Sequence, residues 1–154
     1  MTAYFCDSSA PIKRYIPEQG STWVEALVLP GSGNQIFIAQ VTPAEIISGI
    51  ARLQREGALT ASAVALVRRS VDLHTGSLYR TISLSTAIVR RAENILLVYL
   101  LRAYDAVQLA SALDSAAQSV MNEESSPIFV SADRRLLAAA EAEGLTIVGP
   151  NQHA

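Results

Sequence analysis

Short apolar runs alternate with longer stretches of helical period along the whole chain. Five runs predict strands: AYFC within residues 2–6, QIFIA at 35–39, RTISL at 80–84, IFV at 128–130 and LTIV at 145–148. They are brief and rich in Ile, Val and Phe, the pattern of strands buried on both faces. Between them, residues 8–15 predict a short helix ending at Pro17, and residues 18–29 a helix with Trp23, Ala26, Leu27 and Leu29 on its apolar side. Residues 42–55 place Ile46, Ile47, Ile50 and Leu53 at helical spacing, with Gly57 where a C-terminal cap belongs. Further helices are predicted at about 60–72, 85–97, 104–120 and 133–143, the last closed by Gly144. Pro30-Gly31-Ser32-Gly33-Asn34 is the clearest break, and residues 122–127 read as a polar loop. Strands separated by one or two helices imply α/β architecture: a three-layer α/β/α sandwich around a central parallel sheet.

Composition narrows the class. At 154 residues the chain is expected to form a single domain spanning 1–154, and with 50% hydrophobic and 17% charged residues it is globular rather than disordered. Cys6 is the only cysteine, which excludes an internal disulfide framework and a Cys-rich zinc site, and fits a reducing cytoplasm. The opening MTAYFCDSS lacks a basic segment ahead of an apolar one and does not read as a signal peptide. The longest apolar run, ILLVYLL at 95–101, is far short of the roughly 18–20 residues of a spanning helix, so no membrane segment is expected. A net charge of −2 leaves no global footprint for nucleic acid. Small basic clusters recur at Lys13-Arg14, Arg52 with Arg55, Arg68-Arg69, Arg90-Arg91 and Arg134-Arg135; arginine forks suit phosphates, although solvated helix faces are the ordinary reading.

Four strand-to-helix junctions each carry an acid. Asp7 follows AYFC, Glu45 lies in TPAE a few residues beyond IFIA, Asp105 opens the helix YDAVQLASAL, and Asp133 follows IFVSA. Each has a structural reading. Thr42-Pro43-Ala44-Glu45 has the form of a capping box in which Glu45 bonds back to the Thr42 amide, and the three aspartates suit helix N-termini. Taken together they point elsewhere, because the carboxyl ends of parallel strands converge on one edge, where such folds bind ligands. Carboxylates crowded there raise one another's pKa or demand a cation. A hard divalent ion, Mg²⁺ or Mn²⁺, takes oxygen ligands of this kind. Zinc is disfavoured, since the only imidazoles are His74 and His153. Metal-assisted phosphodiester hydrolysis is the reaction class that follows.

The segments FCDSSAPIKRYIPEQGS, TPAEIISGI, RAYDAVQLASAL and FVSADRRLLAAAEAEGL, spread over nearly the full length, resemble the PIN-domain ribonucleases of the VapC toxin type. The resemblance implies a PIN-like fold, Mg²⁺- or Mn²⁺-dependent cleavage of single-stranded RNA, homodimers and neutralisation by a cognate antitoxin protein. It makes Asp7 and Asp105 the principal metal ligands, Glu45 the third acid, acting through water or on the nucleophile, and Asp133 the fourth. Ser8 and Ser131 take the place of the small hydroxyl residues that support such sites, and Lys13 and Arg14 are candidates for the RNA backbone, with solvent exposure as their ordinary fate. Two departures stand out: Pro11 interrupts a segment that is a smoother apolar helix in relatives, and VYLLRAYD is more apolar than usual and points to a partner surface. The rival reading is a PIN-like module without catalysis, binding RNA or protein.

Overall fold

The computed structural model describes residues 1–153. Five parallel strands, β1 (Ala3–Cys6), β2 (Gln35–Ala39), β3 (Tyr79–Ile82), β4 (Ile128–Val130) and β5 (Ile147–Val148), form one sheet in the order β3-β2-β1-β4-β5. Six helices connect them: α1 (Ser21–Val28), α2 (Thr42–Arg55), α3 (Ala61–Ser77), α4 (Thr86–Val98), α5 (Ala103–Met121) and α6 (Arg134–Ala142).

The central strands β1, β2 and β4 alternate their side chains between two cores, while the edge strand β3 leaves Arg80 and Thr81 exposed. Phe5, Phe37, Ala39 and Phe129 face α4, α5 and α6, where Leu109, Leu113, Leu136 and Ala140 close over them. Phe5 and Phe129 stack with ring centroids 6.0 Å apart. Cys6, Ile36, Ile38 and Val130 face the other way, onto Val24, Leu27 and Val28 of α1. A third cluster, Ile46, Ile50 and Val71, joins α2 to α3 and holds Ile12 and Tyr15 against them. The expected three layers are therefore present.

Strand order reverses at β1. The chain moves from β1 outward to β2 and β3, then crosses back to place β4 and β5 on the other side, with Phe5 paired to Phe37 on one flank and to Phe129 on the other. Such a switch point leaves a crevice beyond the carboxyl ends of the two central strands. Asp7 follows one of them and Ser131 the other.

Local departures from the sequence expectation have local causes. Residues 8–15 form a 3₁₀ turn at Pro11–Arg14 rather than an α-helix, started by the proline, whose missing N–H is harmless at the first turn. α1 starts only at Ser21 because Gly20, at φ 83°, lies in the left-handed region. α3 continues to Ser77, and β3 starts at Tyr79 immediately after it. Among the described residues no single helix is long and apolar enough to cross a membrane.

Candidate active site at the carboxyl edge of the sheet

Asp7 continues the sheet for one more bond, its N–H donating to Val130 O at 3.1 Å, and then turns its carboxylate into the crevice. Ser9 donates to Oδ1 from both its backbone N–H, at 3.1 Å, and its hydroxyl. Ser131 donates to Oδ2 at 2.9 Å. The residue is only 3% exposed. Burial pushes its carboxyl up to about 7, further than the Ser9 and Ser131 hydrogen bonds pull it down, and the nearby charges of Glu45 and Asp105 add to the rise.

Ser9 also accepts from the Ala132 N–H at 2.8 Å, and Ser131 accepts from the Asp133 N–H at 3.0 Å. The two hydroxyls thus lace the loop after β1 to the loop after β4. Ser131 sits where the sequence placed it, beside the site. Ser9 is absent from the sequence expectation, although a serine two residues after an aspartate is the spacing of a local side-chain turn. Ser8, the hydroxyl singled out instead, serves a different acid: its Oγ donates to Glu45 Oε2 at 3.1 Å.

Glu45 does not make the capping box expected of TPAE. The residue preceding α2 is Val41 and no side chain caps the helix. Thr42 is fully buried, and its hydroxyl accepts from Gln108 Nε2 at 2.9 Å, while the same amide nitrogen donates to Glu45 Oε1 at 2.7 Å. Gln108 lies one helical turn beyond Asp105 in YDAVQLA, so one face of α5 presents both an acid and the donor that orients a second acid. That spacing was the available signal for it. Its own Oε1 is buried with no partner among the described residues. Burial raises the Glu45 carboxyl, opposed by Gln108 and Ser8 and reinforced by Asp105.

Asp105 and Asp133 keep their structural roles as well. Asp105 Oδ2 accepts from the Arg102 N–H at 3.3 Å, one half of a capping box. Burial raises this carboxyl, the Arg102 amide lowers it and Asp133 raises it. Asp133 is the N-cap of α6, its Oδ1 accepting from Arg135 N at 2.8 Å and Leu136 N at 3.3 Å. The two aspartates line one open cavity of about 650 Å³.

Lys13 departs from the expectation of an exposed cation. It is 4% exposed, and its Nζ donates to Glu18 Oε1 at 2.9 Å and to Gln19 O at 2.8 Å, so the charge is consumed in holding the turn to the start of α1. Arg14 reaches toward Tyr79 Oη, 3.5 Å away at the start of β3. Among the described residues neither pairs with any of the four acids.

The donor set is all oxygen, and among the described residues the only ion pairs are Lys13–Glu18, Arg52–Glu56 and Arg68–Asp72, so no cationic side chain pairs with Asp7, Glu45 or Asp105, although the charge of Arg102 weakly opposes the rise at Asp105. These acids raise one another's proton affinity. That chemistry fits a hard divalent cation. Among the described residues no three acid, imidazole or thiol groups are already gathered closely enough to hold an ion, so the fit is one of donor type and charge rather than of a closed coordination sphere.

No family pattern matches the sequence, and no curated protein is similar to it. Solved structures share the fold. FitAcB from Neisseria gonorrhoeae aligns with a TM-score of 0.64 at 14% identity over 98% of this chain and 99% of that one. A toxin-antitoxin complex from Klebsiella pneumoniae gives 0.58 at 16%, over 96% and 97%. VapBC2 from Rickettsia felis, bound to a DNA fragment from its promoter, gives 0.60 at 12%, over 96% and 98%. The layering expected from the sequence, an α/β/α sandwich around a central parallel sheet, is the one observed.

Proposed function

We propose that this chain is a Mg²⁺- or Mn²⁺-dependent endoribonuclease of the PIN-domain, VapC toxin type that cuts single-stranded RNA. One observation carries the reading: Asp7, a carboxylate 3% exposed at the switch point of a parallel sheet, lies in the field of Glu45 and Asp105 with no cationic partner among the described residues. Evolution of a stable fold alone has no use for such an arrangement, since a buried unpaired charge is costly.

Asp7 and Asp105 are the principal ligands in this proposal, with Glu45 and Asp133 completing the acidic ring. A bound divalent ion supplies an activated water and charge stabilisation at the leaving oxygen. The chain's own residues do the positioning. Ser9 and Ser131 hold both oxygens of Asp7, and Gln108 and Ser8 hold both oxygens of Glu45, so neither carboxylate rotates freely. Glu45, its proton affinity raised by burial, accepts the proton of the attacking water. An antitoxin protein is the proposed partner, supported by likeness to a structure described as a toxin-antitoxin complex, and a second copy of the chain is proposed on the sequence resemblance alone.

The test is cleavage of a fluorophore-quencher single-stranded RNA in Mg²⁺, Mn²⁺ and EDTA, by the wild type, Asp7→Asn and Asp105→Asn. Cleavage is expected only with an ion, and each variant should lose at least about 100-fold in rate, the scale of removing one group that stabilises transition-state charge. Cleavage that survives EDTA, or that the variants retain, overturns the metal mechanism. A wild type that binds RNA but cuts none with either ion leaves the non-catalytic module in its place.

A further inference from the structure

The acids do not exhaust the crevice. The cavity lined by Asp105 and Asp133 is also lined by Arg102, immediately before α5, and by Arg134 and Arg135, in the first turn of α6. All three are exposed, and among the described residues none of their guanidinium groups makes a hydrogen bond or ion pair, even though two carboxylates share the cavity with them. Their placement is poor for stability, because a cation at a helix N-terminus opposes the helix dipole. An anion arriving there would meet three free forks and the partial positive charge of two helix starts.

A second, apolar groove of about 420 Å³ adjoins this cavity and shares Leu100, Leu101 and Arg135 with it, continuing over Tyr99, Ala138 and Ala139. Leu100 is 84% exposed, an unusual position for a large aliphatic side chain beside so much charge. An anion pocket next to an apolar shelf matches the two halves of a nucleotide.

We propose that Arg102, Arg134 and Arg135 form a subsite for the RNA phosphate adjoining the one that is cut, and that the Leu100–Leu101 shelf takes that nucleotide's base. The inference rests on the ribonuclease reading for its substrate class, but it concerns binding and stands apart from catalysis. An acidic protein segment is the competing occupant, and the test separates the two.

Binding of a fluorescein-labelled single-stranded 12-mer RNA is followed by anisotropy in EDTA, across a salt series, alongside Mg²⁺-dependent cleavage of the same RNA. Each of Arg102→Ala, Arg134→Ala and Arg135→Ala should weaken binding about tenfold, the scale of one charge-assisted hydrogen bond, and lower the slope of log affinity against log salt by about 0.7. Arg69→Ala, an exposed arginine on α3, serves as the control and should change neither. Leu100→Ser should weaken an oligonucleotide with intact bases about threefold, the loss of a modest apolar contact, and leave an abasic one unaffected.

Unchanged binding in the three arginine variants overturns the subsite, leaves the nuclease reading intact if the wild type cuts RNA only with an ion, and returns the cavity to a protein partner. An equal loss in Arg69→Ala also overturns it, as diffuse attraction. Arginine-dependent binding without any cleavage supports the subsite and removes the nuclease. No binding of RNA by the wild type overturns the subsite outright.

Discussion

Replacing Asp7 by asparagine removes a charge that the fold has buried and leaves the shape of the side chain almost unchanged. The carboxyl stands at about 7 in the folded chain against an ordinary 3.8, so the folded state holds its proton more tightly than the unfolded state does. An acid shifted upward destabilises wherever the unfolded form is already ionised. Stability is therefore lost as pH rises from about 4 through about 7, and regained on acidification. At 1.36 kcal/mol per pH unit, the ionisable group costs folding about 4 kcal/mol at pH 8 and under about 1 at pH 4, relative to a neutral one. The substituted side chain can keep the two Ser9 bonds on its carbonyl oxygen. Its amide would then donate to Ser131 Oγ, which must redirect its own proton, with Ser9 Oγ 3.4 Å away as one acceptor. That rearrangement costs about 1 kcal/mol. Thermal unfolding in EDTA at pH 8 should thus show Asp7→Asn melting at least about 6 °C above the wild type, a gain of about 3 kcal/mol converted for a domain of this size. The gap should close toward pH 4, and Mg²⁺ should raise only the wild type. A variant that melts lower than the wild type at pH 8 would refute the claim that Asp7 is an uncompensated buried charge.

Other residues give separate expectations. Ser9→Ala should destabilise by about 1–3 kcal/mol in urea unfolding, by orphaning the Ala132 N–H. It should also move the Asp7 titration upward, visible by carboxyl NMR, because the lost hydroxyl bond favours the ionised form. Gln108→Met should cost about 2 kcal/mol, since it leaves the Glu45 carboxylate without its amide donor, and should raise the Glu45 titration. Gly20→Ala should cost about 2 kcal/mol or more by urea unfolding, because its φ of 83° is strained for any side chain and the new Cβ would lie 2.7 Å from Pro150 O. Mutation of Gly31, where a Cβ meets nothing within 4 Å, should register only the strain of its φ of 91°.

Strands β2 and β4 were legible because burial on both faces leaves short Ile and Phe runs, whereas the edge strand β3, with Arg80 and Thr81 exposed, starts at Tyr79 and ends at Ile82 rather than spanning 80–84. Asp7, Glu45 and Asp133 were legible because strand ends carry position even when periodicity is silent, whereas the expected strand-to-helix junction at Asp105 is a helix-to-helix one, α4 to α5, so that acid was legible only as the opening of an apolar helix. What escaped was decided at long range. TPAE has every local qualification for a capping box, yet Gln108, 66 residues away from Thr42, occupies both Thr42 and Glu45 instead. Lys13 reads as one of several solvated cations until the proline turn folds it under α1, beside Glu18. Ser9 and Ser8 are adjacent and chemically alike, and only the geometry after β1 assigns one to Asp7 and the other to Glu45. In each case local propensity offered a sufficient partner and tertiary structure supplied a better one.

The central position of β1 sets a timetable for the molecule. Its pairing with β4, and the bond from Ser131 to Asp7 across 124 residues, cannot form until Ser131 has been synthesised. Chains emerge from the ribosome amino end first, so a nascent copy carries Asp7 with its local Ser9 donors but without Ser131 until β4 has followed. The crevice therefore closes late relative to the residue at its centre, only once β4 has joined the sheet beside β1.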